Sequence, residues 1–180
     1  MDLTEKKLSG REVYHGRIVN IHMDEVSLPN GGTSLREVVE HPGGVVILPL
    51  DEHMRVVTVT QYRYAMGQEM TELPAGKLEP GEKSDPAAAA LRELHEEIGA
   101  VPGSFVPLGV LHSSPGIFTE TLYLYLARDL KFDAPDPDPD EFLKIERVPF
   151  NILVQRIMAG EITDAKTVAA VLKAKVRLHL

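Results

Sequence analysis

Residues 76–100, GKLEPGEKSDPAAAALRELHEEIGA, gather Arg92, Glu93, Glu96 and Glu97 into one block behind a glycine-rich turn. At about 100° per residue, a helix over this stretch puts Glu97 roughly 40° from Glu93 and Glu96 roughly 60° to the other side. Ala87, Leu91, Leu94 and Ile98 gather on the far side of the same wheel, about 140° from the carboxylates. The pattern therefore predicts one helix with an apolar face and a concentrated acidic face. Like charges on neighbouring turns repel, and a counter-cation removes that conflict. A solvated acidic face is the commoner fate of a glutamate-rich helix taken alone, so the flanking residues decide. Asp85-Pro86 supplies an N-cap and a first-turn proline, and Gly99 supplies a C-terminal stop. Ahead of them, Leu73-Pro74-Ala75-Gly76 and the Gly81-Glu82 turn complete a strand, glycine loop and helix. That order brings a backbone carbonyl near Ala75 and the helix carboxylates Glu93, Glu96 and Glu97 to one point. Such an all-oxygen set suits Mg²⁺, with Mn²⁺ as the alternative.

The rest of the chain sets the bounds. Its 180 residues suffice for one domain with a full core and a short N-terminal extension. No internal repeat is visible, which excludes solenoids. No apolar run is long enough to span a membrane and no basic-then-apolar leader is present, so a soluble cytoplasmic protein is expected. The absence of cysteine excludes disulfides, thiol catalysis and zinc–thiolate sites. A formal net charge of −8 argues against nucleic acid as a partner. A small phosphate compound remains compatible with that charge where cations neutralise it locally. The seven histidines show no metal-ligand spacing.

Alternating apolar residues predict strands over 12–20 and 21–28, a turn at Pro29-Asn30-Gly31-Gly32, and a returning strand over 33–41. A continuous apolar run over 45–50 suits a buried strand, and 55–63 alternates again. Further strands are expected over 105–112, 121–127 and 143–148, and a helix over 151–158. Asp164 caps a last amphipathic helix through 178, and the Pro/Asp-rich stretch 133–140 reads as a loop. Strands and helices mix without regular βαβ alternation, which predicts an α+β fold with a mixed sheet. The expected division is an N-terminal strand/hairpin region over 1–42 and a second domain over 43–180.

The block resembles the Nudix box: Gly, five residues, Glu, seven residues, then Arg-Glu-apolar-x-Glu-Glu-x-Gly-apolar. Gly76, Glu82, Arg92, Glu93, Leu94, Glu96, Glu97, Gly99 and Ala100 match it by type. Nine residues rather than seven separate Glu82 from Arg92. Lys83-Ser84 accounts for the difference as an insertion that lengthens the turn and leaves the helix pattern intact. Within the family the chain is similar to the ADP-ribose pyrophosphatases over nearly its whole length. Residues 36–41 (REVVEH), Gln61-Tyr62-Arg63-Tyr64, the Glu72-to-Gly76 stretch and Ser114-Pro115-Gly116, with Pro115 fifteen residues past Ala100, carry that similarity.

The resemblance implies an α/β/α Nudix sandwich and Mg²⁺-dependent hydrolysis of ADP-ribose to AMP and ribose 5-phosphate. It implies a homodimer whose N-terminal strands are the dimerisation element. It also implies that a glutamate on the loop before the last strand is the base; Glu141 is the only glutamate there, with Asp140 and Asp138 behind it. The expected catalytic set is Glu141, Glu96 and Arg92, with Arg92 orienting a glutamate by a bidentate pair. Arg36, Arg63, Glu72 and Pro115 are the expected substrate contacts. Alternatives are another nucleotide sugar such as GDP-mannose, or a sensor that binds ADP-ribose without cleaving it; the latter is disfavoured because every box glutamate is retained.

Overall fold

The computed structural model describes residues 2–180. In chain order its elements are β1 (Lys6–His15), β2 (Asn20–Ser27), β3 (Thr33–Glu40), β4 (Gly44–Pro49), β5 (Arg55–Arg63), β6 (Gln68–Glu72) and β7 (Ala75–Lys77). A 3₁₀ turn (Glu82–Ser84) then leads to α1 (Pro86–Ile98), β8 (Ala100–His112), β9 (Thr121–Phe132), β10 (Lys144–Pro149), α2 (Phe150–Met158) and α3 (Ala165–Leu178).

The chain forms two units, one running to Gly43 with His112–Thr121 added, the other made of Gly44–Leu111 and Leu122–Leu180. The first unit is an antiparallel sheet in the order β1-β2-β3. Pro29-Asn30-Gly31-Gly32 turns β2 into β3, with Gly31 at φ 87° and the Asn30 side chain accepting the Gly32 N–H. That is the turn chemistry expected of these residues. The first strand runs earlier than the alternation over 12–20 predicted. His15 pairs with Asn20, so Gly16 to Val19 must form the turn, closed by a Gly16 N–H to Val19 carbonyl bond of 3.0 Å. The segment around Phe118 joins this unit through Val39, which donates to Ile117 O (2.7 Å) and accepts from Thr119 N–H (3.0 Å).

In the second unit β4 is the organising strand, with all six residues buried. It pairs parallel with β9 and antiparallel with β7, and β8 lies beyond β9. Strand period 2 then sorts its side chains. Val46 and Leu48 pack with Leu153 and Val154 of α2 and Val171 and Ala174 of α3. Val45 and Ile47 pack with Ala90, Leu94 and Ile98 of α1. Helices thus cover both faces, giving the expected α/β/α layering around a mixed sheet. A second sheet orders as β10-β5-β6, antiparallel throughout. The short strand β6 carries no alternation long enough to read in sequence and forms on its partner β5, whereas β7 falls at the strand expected ahead of the glycine loop and pairs with β4. Among the described residues no helix is long and apolar enough to cross a membrane.

Helix α1 departs from its expected rotation. Its buried residues are Ala89, Ala90, Glu93, Leu94, Glu97 and Ile98, while Leu91 is 40% exposed. The small Ala89 and Ala90 let the helix approach Val45 and Ile47 closely, and that contact carries Glu93 and Glu97 inward. Asp85 caps the helix by accepting the Ala88 N–H (3.1 Å). Gly99 ends it at φ 65°, where an added Cβ would collide with the Asp133 carbonyl. Leu94→Ala should therefore cost about 2–5 kcal/mol in urea unfolding, whereas Leu91→Ala should cost under about 1 kcal/mol. Equal losses would contradict this rotation of α1.

Candidate functional site

Arg92 is the centre of the carboxylate cluster. It reaches Glu96 at 2.6 Å, Glu93 at 2.9 Å, and Glu82 at 3.1 Å from Nε. Burial works against its charge, but hydrogen bonds and charge from Glu82, Glu93 and Glu96 raise its pKa further. The Lys83-Ser84 insertion is taken up as the 3₁₀ turn, where Ser84 Oγ donates to the Gly81 carbonyl (2.8 Å). Glu82 consequently still faces the helix, and its carboxylate also accepts the Glu79 N–H (2.7 Å).

Glu93 and Glu97 are buried carboxylates. Burial pushes the Glu93 pKa up to about 7 despite Arg92, and Glu96 and Glu141 add to the rise. Burial, then the charges of Glu141 and Glu93, push Glu97 up to about 8, against the Ala75 N–H and Arg63. That N–H donates to Glu97 Oε2 at 3.2 Å. A side chain on Gly76 would occupy the space of the Glu93 carboxylate, so glycine there lets strand β7 and helix α1 meet.

Arg63 and Glu72, both expected at substrate, bond to each other. Arg63 Nε and Nη2 donate to the two oxygens of Glu72 at 2.7 and 2.6 Å. Lys166, which sequence reasoning missed, also pairs with Glu72. Burial would raise the Glu72 pKa, but Arg63 and Lys166 hold it below its ordinary value.

The loop after β9 closes over the end of α1: Asp133 N–H meets the Gly99 carbonyl (2.7 Å) and Asp136 N–H the Glu96 carbonyl (2.9 Å). Beneath it opens a cleft of about 660 Å³ lined by Tyr62, Glu69, Glu97, Glu141, Phe142 and Lys144, among others. Glu141 therefore shares a cleft with Glu97. Its pKa is raised by burial and by Asp138 and Asp140.

The structure thus brings Arg92, Glu93 and Glu96 together with Glu82, joins Ala75 to Glu97, and faces Glu97 with Glu141. Arg36 and Pro115 belong to the first unit. Arg36 forms a two-point pair with Glu5 (2.9 and 2.6 Å), and Pro115 lies in an exposed turn where Ser114 O accepts from Ile117 and Phe118 N–H. The capping signal at Asp164 pointed to the right turn of chain, but nothing in sequence links Lys166 to Glu72, 94 residues away.

Among the described residues no three His, Cys, Asp or Glu side chains close around a single ion position; Arg92 draws Glu82, Glu93 and Glu96 to itself. The donor chemistry fits a hard divalent cation all the same. Two buried carboxylates with raised pKa values, a third on the next turn and a main-chain strand end beside them supply only oxygen ligands.

Residues 40–171 match the NUDIX domain, and residues 5–39 match the nucleoside diphosphate sugar hydrolase N-terminal domain. The chain is 40% identical over 169 residues to the methanol dehydrogenase activator of Bacillus methanolicus, covering 93% of this chain and 90% of that protein. It is 33% identical over 171 residues to an ADP-ribose pyrophosphatase of Bacillus subtilis, covering 94% and 91%. A solved structure titled as an ADP compounds hydrolase superposes with a TM-score of 0.85 at 22% identity, covering 99% of this chain and 97% of that one; it shows the shared fold. The chain belongs to the Nudix hydrolase family, whose enzymes use divalent cations.

A pH-dependent stability follows. Between the ordinary glutamate value of 4.5 and the raised values of about 7 and 8, the folded protein keeps protons that the unfolded chain has released. Raising the pH through that window should destabilise the cation-free protein, and added Mg²⁺ should raise Tm more at pH 8 than at pH 5.5, by on the order of 5 °C. Glu97→Gln should flatten the pH dependence and reduce the Mg²⁺ effect. Thermal scans at both pH values decide; a Tm independent of Mg²⁺ would sink the assignment of these carboxylates.

Proposed function

We propose that this Nudix hydrolase cleaves the pyrophosphate bond of ADP-ribose with water, giving AMP and ribose 5-phosphate, with Mg²⁺ or, as the alternative, Mn²⁺. The observation that carries this is the single cleft shared by Glu97 and Glu141. It joins a carboxylate of the complete box to a carboxylate outside it. Glu93, Glu96, Glu97 and the Ala75 carbonyl are the residues that hold the cation. Such a cation supplies charge neutralisation to the phosphoryl oxygens and makes water more acidic.

The chain's own residues do the rest. Glu141 accepts the proton of the attacking water as the new P–O bond forms and the bridging P–O bond breaks. Its pKa, raised by burial and by Asp138 and Asp140, strengthens its hold on the proton it takes. The loop that carries Glu141 is tied to α1 through Asp136, so it can approach the cleft without losing its anchor. Arg92 orients Glu93 and Glu96 by its paired nitrogens. Arg63, fastened to Glu72, offers its remaining guanidinium edge to phosphate or ribose.

A cytoplasmic homodimer completes the proposal. All ten residues of β1 are exposed, including Leu8, Val13 and Tyr14, each more than half exposed. An uncovered edge strand with exposed apolar side chains is what a second copy would protect. Against ADP-ribose stands another nucleotide sugar: some relatives are named GDP-mannose pyrophosphatases, but that similarity covers 74% of the chain. The identity to the methanol dehydrogenase activator favours a second reading, that this chain stimulates a dehydrogenase. Adding it to purified methanol dehydrogenase and following alcohol oxidation tests that.

The deciding assay is phosphate release, after phosphatase coupling, from ADP-ribose, GDP-mannose, ADP-glucose and NADH. ADP-ribose should be preferred, Glu141→Gln should lower kcat about 10²–10⁴-fold, and Glu97→Gln should leave background turnover. Comparable rates on all four compounds would remove the substrate assignment. Binding without turnover would make the chain a sensor.

A further inference from the structure

The first turn of α3 grips the strand end that carries Ala75 in two ways at once. Through a side chain, Lys166 pairs with Glu72 and with Asp164 Oδ1 (2.9 Å). Through the backbone, Thr167 Oγ1 accepts the Leu73 N–H at 2.8 Å. The same hydroxyl donates to Asp164 Oδ2 at 2.6 Å, and Asp164 also accepts the Thr167 N–H at 3.0 Å. Thr167 and Glu72 are almost wholly buried, and the Lys166 side chain is 15% exposed.

These contacts are costly to maintain. A buried ion pair usually stabilises less than well-packed apolar residues of equal volume would, so stability alone does not explain Glu72, Lys166 and Asp164 in this place. Geometry does. Pro74, the one residue between Leu73 and Ala75, is stiff in its backbone, and its carbonyl is held by the Ile47 N–H (2.9 Å). Ala75 then meets Glu97. A displacement at Leu73 therefore passes along a short, stiff segment to the carboxylate.

We propose that Asp164, Lys166 and Thr167 are positioning residues. They hold segment 72–75 where Ala75 meets Glu97, and so set the arrangement of the cation-holding oxygens from a helix that contributes no ligand. The inference rests on the reading of Glu93, Glu96 and Glu97 as cation ligands. Outer partners of this kind typically change metal affinity 10–100-fold when removed.

The test compares Thr167→Val and Lys166→Met with the conservative Thr167→Ser and Lys166→Arg. Three readouts are taken: amide hydrogen exchange at Leu73 and Ala75 without metal, Mn²⁺ affinity by titration, and kcat and KM on ADP-ribose. Thr167→Val should speed exchange at both amides about tenfold or more and weaken Mn²⁺ binding about tenfold. It should lower kcat with little change in KM, and Thr167→Ser should restore all three. Lys166→Met should do the same, with Lys166→Arg restoring, and it carries the test alone if Thr167→Val does not fold. Faster exchange at Leu73 with Ala75 exchange unchanged would overturn the proposal, as would unchanged Mn²⁺ affinity in a wild type that binds the ion. If the wild type binds no Mn²⁺, the cation reading fails by itself, and exchange at Ala75 still decides whether α3 positions it.

Discussion

Two glutamates on the inward side of one helix set the terms for the rest of the second unit. Glu93 and Glu97 share a face with Ala89, Ala90, Leu94 and Ile98, and burial disfavours their charged forms. Each neighbouring feature answers that cost. Arg92 pairs with Glu93, the Ala75 N–H reaches Glu97, and Gly76 leaves room where any side chain would strike the Glu93 carboxylate. A site that accumulates negative charge in a dry place attracts a hard cation strongly.

Arg92 also explains how the box tolerates its two extra residues. They coil into one 3₁₀ turn capped internally by Ser84. The turn keeps Glu82 on Arg92, so the guanidinium is held from the turn side and the helix side together. A parallel arrangement holds the other edge of the site. There Glu72 sits between Arg63 and Lys166, and two positive charges keep one deeply buried carboxylate ionised. The two sides of the site are thus built alike, each from a carboxylate that cannot be buried without a cation next to it.

The cleft joins these parts to chemistry. Glu141 reaches it from a proline-rich loop whose backbone is bonded to the last turn of α1. The helix that presents the box carboxylates therefore also anchors the loop that carries Glu141, the proposed base. Gly99 makes this possible, since its positive φ ends the helix and the absence of a Cβ admits the Asp133 carbonyl. Tyr62 and Phe142 give the cleft exposed aromatic surface beside its acidic groups, suited to a ligand with both a ring system and phosphates.

Local patterning determined a great deal by itself. Asp85, Pro86 and Gly99 marked both ends of α1, Asp164 marked the start of α3, and the apolar run at 45–50 marked the central strand, because caps, turns and periodicity act over a few residues. The carboxylate spacing and the oxygen-only chemistry were equally legible, since both follow from residue type and the helix repeat. Tertiary structure decided what depends on distant partners. It chose which face of α1 is buried, turning Leu91 outward and Glu93 inward, because close packing of Ala89 and Ala90 against β4 outweighed the wheel's apolar count. It created β6, whose few residues are a strand only through the ladder with β5. It paired Arg63 with Glu72 and brought Lys166 to Glu72 from 94 residues away. Ion pairs of that kind leave no periodic trace in a sequence, because the charge that satisfies a buried group need only be close in space.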